Sequence, residues 1–124
     1  MLTNNEMDSR SNVAVILIGQ PTLRRQVKLG TFAALDQRIT LRVNLEGMSG
    51  EETGKYIAHR INHAGRSDTL YSDDATALIH QAARGLPRAV NNLAYHALMA
   101  AFFDKKQIVD ESSARQAITE VNAE

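Results

Sequence analysis

The run Gly85-Leu86-Pro87-Arg88 joins two helical patterns and sets a guanidinium beside a chain reversal. Gly85 is the residue type that takes the left-handed backbone at a helix end. Pro87 suits the first turn of the next helix, where its missing N–H costs nothing. Arg88 falls one residue further in, at the end of the helix dipole that does not favour a cation. A guanidinium so placed suits an anion brought from outside, such as a phosphate or carboxylate gripped by two N–H groups. The competing reading is a solvated arginine on an ordinary helix–turn–helix corner.

Other residues of chemical interest are scattered. Gln20 follows an apolar run, at the carboxyl edge of a strand pattern, where α/β sheets bind ligands. Arg38 lies between a helical stretch and a second strand pattern, where a surface ion pair is the default. Arg24, Arg25 and Lys28 give a short helix one basic side, suited to solvent or to nucleic-acid phosphate. His59 and His63 have a spacing that can hold a metal. The intervening Arg60-Ile61-Asn62 lacks the glutamate of the zinc-protease motif and no third ligand is evident, so no metal site is expected. His80 and His96 each read as lone helix-surface histidines. Spacing supports no Ser–His–Asp set and no carboxylate pair, and no Gly-x-x-x-x-Gly-Lys run is present.

The 124 residues suffice for one domain or part of one, with a modest core. Apolar residues make up 44% with no Trp, so Ala, Leu, Ile and Val must build that core. Fourteen basic and fourteen acidic residues balance, which argues against a strong autonomous nucleic-acid binder. The absence of Cys excludes disulfides, thiol catalysis and Cys-ligated zinc and fits a cytoplasmic chain. The run Val13–Ile18 is too short to span a bilayer, and the first ten residues lack the pattern of a signal peptide. No membrane insertion is expected.

The elements divide into two parts. Val13–Ile18 is a continuous, mostly β-branched run that reads as a strand buried on both faces. Gln20-Pro21 opens a helix over Thr22–Leu29, with Leu23 and Val27 inward. Gly30 breaks it, and Thr31 caps a further short helix to Gln37. Ile39–Leu45 alternates as a half-buried strand. Leu2-Thr3-Asn4 reads as a helix tail. From Ser49 the pattern is helical. Ser49 and Glu52 form a capping box, with Thr53, Ile57, Ile61 and Ala64 inward. Ser72 caps a second helix with Ala75, Leu78, Ile79, Ala82 and Ala83 inward. The third runs to about Phe103 and buries Val90, Leu93, Ala94, Ala97, Leu98, Ala101 and Phe102. After a short extended link at Ile108-Val109, Asp110 caps the last helix, striped by Ala114, Ala117, Ile118 and Val121. The fold expected is mostly α with a small α/β part: residues 1–48 supply two strands with their helices, and residues 49–124 form a four-helix bundle. Glu46-Gly47-Met48 reads as a hinge between them.

Taken in order, Ile18-Gly19-Gln20-Pro21, Leu35-Asp36-Gln37-Arg38-Ile39 and Gly85-Leu86-Pro87-Arg88 resemble the carboxyl-terminal half of an AAA+ ATPase domain. The branch is that of the secretion-pathway protein A-type ATPases and the ATP-binding subunits that accompany transposases. The likeness covers roughly Leu2 to Val121. It implies that 1–48 is the end of an AAA+ α/β core and 49–124 its helical lid. It implies sensor 1 at Gln20, although the family usually has Asn or Thr there. It also implies an arginine finger at Arg38, presented in trans, and sensor 2 at Arg88 with Gly85 and Pro87 shaping its corner. The full module would use ATP and Mg2+. The residues that grip phosphate and metal in such modules are absent here, so this chain alone is expected neither to bind ATP tightly nor to hydrolyse it. Implied partners are further copies or a separate AAA+ amino-terminal half, and a transposase and DNA, which Arg24, Arg25 and Lys28 would contact. The implied output is ATP-gated assembly in transposition or secretion. A freestanding helical interaction or DNA-binding module without nucleotide chemistry is the alternative.

Overall fold

A computed structural model describes residues 13–29 and 32–123. They fall into two compact units divided between Asn44 and Leu45. Six α-helices occur among the described residues: α1 (Pro21–Lys28), α2 (Ala33–Arg38), α3 (Gly50–His63), α4 (Asp73–Ala83), α5 (Pro87–Phe103) and α6 (Glu111–Ala123).

The first unit packs α1 against α2. Pro21 opens α1 and Val27 is its buried residue. The proposed helix tail at Leu2-Thr3-Asn4, the break at Gly30 and the cap at Thr31 lie outside the described residues. The two expected strands are not formed among the described residues: 13–20 and 39–49 carry no strand pairing. Ile16 is 80% and Ile18 86% exposed, and Leu41, Val43 and Leu45 also face solvent. The physical reason is the need for partners. A strand is held by ladder hydrogen bonds and by side chains packed on its neighbours, and no ladder covers either run within this unit. The fold is therefore broadly α.

The second unit is a helical bundle in which α3, α4 and α6 start with side-chain caps. At α3 the Glu52 N–H donates to Ser49 Oγ at 3.2 Å, and the Ser49 N–H donates to Glu52 Oε2 at 2.8 Å. At α4 the Ala75 N–H donates to Ser72 Oγ. At α6 Asp110 Oδ1 accepts from the Ser113 N–H, the Ser113 hydroxyl and Lys106 Nζ. These donors, the Ser113 N–H foremost, hold the Asp110 carboxyl below its ordinary range.

Helices α4, α5 and α6 pack on one another, and α3 lies chiefly on α4. Ile79, Val90 and Val109 are fully buried, together with Ala75, Ala97, Ala114 and Ala117. Thr53 and Ile57 face this core while Ile61 packs at its edge. Three expected core positions lie outside it: Ala64, Ala82 and Phe102 are exposed. Ala64 stands past the last residue of α3. Ala82 and Phe102 each neighbour a buried alanine, Ala83 and Ala101, and one helical step turns a side chain by about 100°.

The link before α6 is extended as expected. Tyr71 and Val109 form an isolated parallel bridge, with the Val109 N–H donating to the Leu70 carbonyl at 2.8 Å and the Ser72 N–H to the Val109 carbonyl at 2.9 Å. Tyr71 then reaches α5, its hydroxyl donating to the Ala94 carbonyl at 2.7 Å. No helix among the described residues is long and apolar enough to cross a membrane.

Burial pushes the Tyr71 hydroxyl up from 10.0 to about 12. A raised value means that the contribution of the neutral form is complete below the unfolded value near 10.0. It is lost as pH climbs through about 12. Tyr71→Phe is expected to cost about 1 kcal/mol at neutral pH, the worth of one hydrogen bond. It should also flatten the alkaline decline in stability, read from urea unfolding midpoints across that range.

Candidate functional site

The corner between α4 and α5 begins with two successive left-handed residues. Arg84 has φ 55 and ψ 27, and Gly85 has φ 71. The Leu86 N–H donates to the Ala83 carbonyl at 3.1 Å, which closes the turn. Pro87 then occupies the first position of α5 and Arg88 the second, with no side-chain cap on Leu86. Arg84, Leu86, Pro87 and Arg88 are exposed while Gly85 is buried.

What buries Gly85 is the segment that leads into α3. The Met48 N–H donates to the Gly85 carbonyl at 2.8 Å. A Cβ on Gly85 would lie 2.6 Å from the Met48 nitrogen and would overlap the Met48 carbonyl oxygen. A Cβ on Gly47 would overlap the Arg84 carbonyl oxygen. Glycine is needed at both places, for the approach of two backbones and, at Gly85, also for the sign of φ. One turn into α5, Asn91 Oδ1 accepts from the Tyr56 hydroxyl at 3.0 Å, so α3 also holds the opening of α5 by a side chain.

Charge is distributed unevenly around this unit. Arg66 pairs with Asp68, Arg115 with Glu111, Lys55 with Glu51 and Lys106 with Asp110. Arg84 and Arg88, like Arg60 and Lys105, have no side-chain ion-pair or hydrogen-bond partner among the described residues. The corner thus presents two unneutralised guanidiniums, a chemistry suited to a phosphate or carboxylate. The shallow cleft between α3 and α4, about 350 Å³, is of another kind. Glu51 and Asp73 line it beside Gly50, Gly54 and His80, which disfavours an anion. His80 shares a hydrogen bond of 2.9 Å with the buried Thr53 hydroxyl, and His96 meets Glu120 of α6 at 3.5 Å. Neither is the lone surface histidine expected from the sequence. His59 and His63 are exposed, and no group of three metal-ligating residues occurs among the described residues.

The remaining sequence-derived residues belong to the first unit. Gln20 is the N-cap residue of α1; its carbonyl accepts from the Leu23 N–H, and its exposed side chain makes no cap. Arg38 is the last residue of α2 and is exposed. Nearby, Arg42 binds Asp36 through both its carboxylate and its backbone carbonyl, at 2.6 and 2.7 Å. Arg24, Arg25 and Lys28 stand exposed on α1. Sequence reasoning gathered Gly85, Pro87 and Arg88 at one corner. It missed Gly47, Met48, Tyr56 and Asn91 as the groups that hold it. The faint signal was Gly47 itself, a glycine just ahead of a capping box.

The chain is 34% identical over 102 residues to General secretion pathway protein A of Aeromonas hydrophila, to which it is distantly related. The match takes in 82% of this chain and 19% of that relative, so the chain spans about a fifth of the relative's length. No family model matches the sequence. No solved structure matches it either.

Gly85→Ala tests the corner. Left-handed backbone alone costs a non-glycine residue about 1–2 kcal/mol, and the overlap with Met48 adds to it. The melting temperature should fall by at least about 5 °C. Gly65→Ala, at φ +104 with open space around it, should cost only the backbone part.

Proposed function

We propose that this chain is the lid-bearing, carboxyl-terminal part of an AAA+ nucleotide-binding module, serving ATP-gated assembly in a secretion-related process. The observation that carries the reading is the corner of unpaired Arg88, set by Gly85 and Pro87 at the opening of a seventeen-residue helix. The distant relation to a secretion pathway protein supports the choice of process over transposition. The exposed apolar runs 13–18 and 39–45 fit strands whose ladder partners lie in the rest of such a module.

The corner suits a nucleotide phosphate: two cationic side chains without counter-ions and an uncapped helix start. Arg88 would hold a phosphate oxygen of ATP bound to the same module. Arg38, at the end of α2, would be offered to the nucleotide of a neighbouring copy, where added positive charge lowers the cost of developing negative charge. Gln20 would stand at the polar position after the first strand, with an amide in place of the usual Asn or Thr. ATP, with Mg2+, would supply the hydrolysable terminal phosphate. The chain has no Gly-x-x-x-x-Gly-Lys loop of its own, so its contribution is to finish a site and to sense its occupancy. The exposed basic side of α1, with Arg24, Arg25 and Lys28, is left to contact nucleic-acid phosphate in an assembled oligomer.

Nuclear magnetic resonance titration of the chain with MgATP tests the reading. Shifts should centre on the corner, with weak affinity. Arg88→Ala should lower that affinity about ten-fold or more, as expected for a lost charge-assisted hydrogen bond. The chain alone should show no turnover. Hydrolysis by the pure chain, or shifts that ignore Arg88→Ala, would count against it. Partner binding that is indifferent to ATP would favour the freestanding interaction module.

A further inference from the structure

Gly47 and Met48 read, in the sequence, as part of a hinge. Their contacts give them a further role. The Met48 N–H is spent on the Gly85 carbonyl, and Gly47 lies against the Arg84 carbonyl so closely that no side chain fits. Four residues therefore interlock by backbone alone, two from the segment entering α3 and two from the corner. Met48 adds its half-buried side chain to the edge of the core, which anchors the clasp from the other side.

The clasp accounts for Arg84. A non-glycine residue at φ 55 is held there at a cost and persists only where its surroundings over-determine it. Here the Gly85 carbonyl accepts from the Met48 N–H, and the Arg84 carbonyl lies packed against Gly47. From Gly85 to Arg88 the chain has little freedom left. Leu86 donates back to Ala83, Pro87 has its φ fixed by its ring, and the Val90 N–H closes on the Leu86 carbonyl at 2.9 Å. The corner from which Arg88 leaves is thus tied to residues 47 and 48 as well as to the packing of α5 on its neighbours.

We infer that Gly47 and Met48 are positioning residues for Arg88: their backbone clasp on Arg84 and Gly85 aims the guanidinium at its anion. The inference rests on the reading of Arg88 as a phosphate contact. It makes the segment entering α3 part of the anion site without touching the anion.

The test uses the full chain, inorganic tripolyphosphate as probe, and resonance shifts at the corner as readout. Gly47→Ala, Arg88→Ala and the double variant are compared with the parent. Gly47→Ala should weaken the probe roughly three- to ten-fold, the range in which coupled neighbours act. The double variant should bind no more weakly than Arg88→Ala. Thermal unfolding of each variant reports folding separately, and hydrogen exchange on the parent keeps the inference falsifiable if Gly47→Ala fails to fold. In the parent the Met48 amide should be protected like the α5 amides, whereas exchange at the rate of a free peptide overturns the clasp. Parent-like affinity in Gly47→Ala, or an equal loss when Arg88 is already Ala, overturns the positioning role alone. An Arg88→Ala variant that binds tripolyphosphate as the parent does overturns the nucleotide reading and this inference with it.

Discussion

Alanine sets the geometry of the second unit. Where α4, α5 and α6 meet, the buried positions are largely Ala75, Ala83, Ala97, Ala101, Ala114 and Ala117, with Ile79, Val90 and Leu93 as the larger fillers. Methyl-sized contacts let helix axes approach closely and gain many weak dispersion contacts per residue. They leave little slack. A bundle built in this way fixes where each helix begins and ends to a fraction of a turn, because one added methylene at these positions has nowhere to go. Tyr71, the single buried aromatic among the described residues, belongs to this core, and its hydroxyl finds the Ala94 carbonyl.

The corner at Gly85 inherits that tightness. With α4 and α5 fixed by their alanines, the link between them must turn within two left-handed residues, and the incoming segment must dock on backbone instead of side chains. Small residues at Gly47 and Gly85 are the local consequence of a constraint imposed by the whole bundle. The same logic explains why three helix starts carry side-chain caps while α5 begins with Leu86-Pro87 and leaves a cationic, uncapped end. Arg84 and Arg88 are exposed at this turn and make no side-chain ion pair among the described residues.

Much of this was legible in the chain. Ser49, Ser72 and Asp110 announce their helices, because capping is a local interaction between a side chain and amides three residues on. The stripes at Ala75–Ala83, Val90–Ala101 and Ala114–Val121 announce their faces by period. Gly85 and Pro87 announce the turn. Contacts that join distant residues left no such mark: Met48 with Gly85, Tyr56 with Asn91, Thr53 with His80, His96 with Glu120. Each joins one polar group to another far along the chain, and neither partner's type specifies the other. The two strand patterns illustrate a different limit. Periodicity reports which environment a run of residues is suited to, and 13–18 and 39–45 are suited to a sheet. Whether the sheet forms depends on neighbours that a run does not encode.

The exposure of Val13-Ala14-Val15-Ile16-Leu17-Ile18 bears on how the protein survives at high concentration. Six successive uncharged residues, mostly β-branched and without Pro, carry the composition of cross-β spines. Residues suited to the buried middle of a sheet are equally suited to stacking in register on copies of themselves, at the spacing of about 4.8 Å common to both. No charge lies within the run; the nearest charged residues are Arg10 before it in sequence and Arg24 after it, in the following helix. Its fate is then a race between two kinds of pairing, one that ends in a closed fold and one that ends in a fibril.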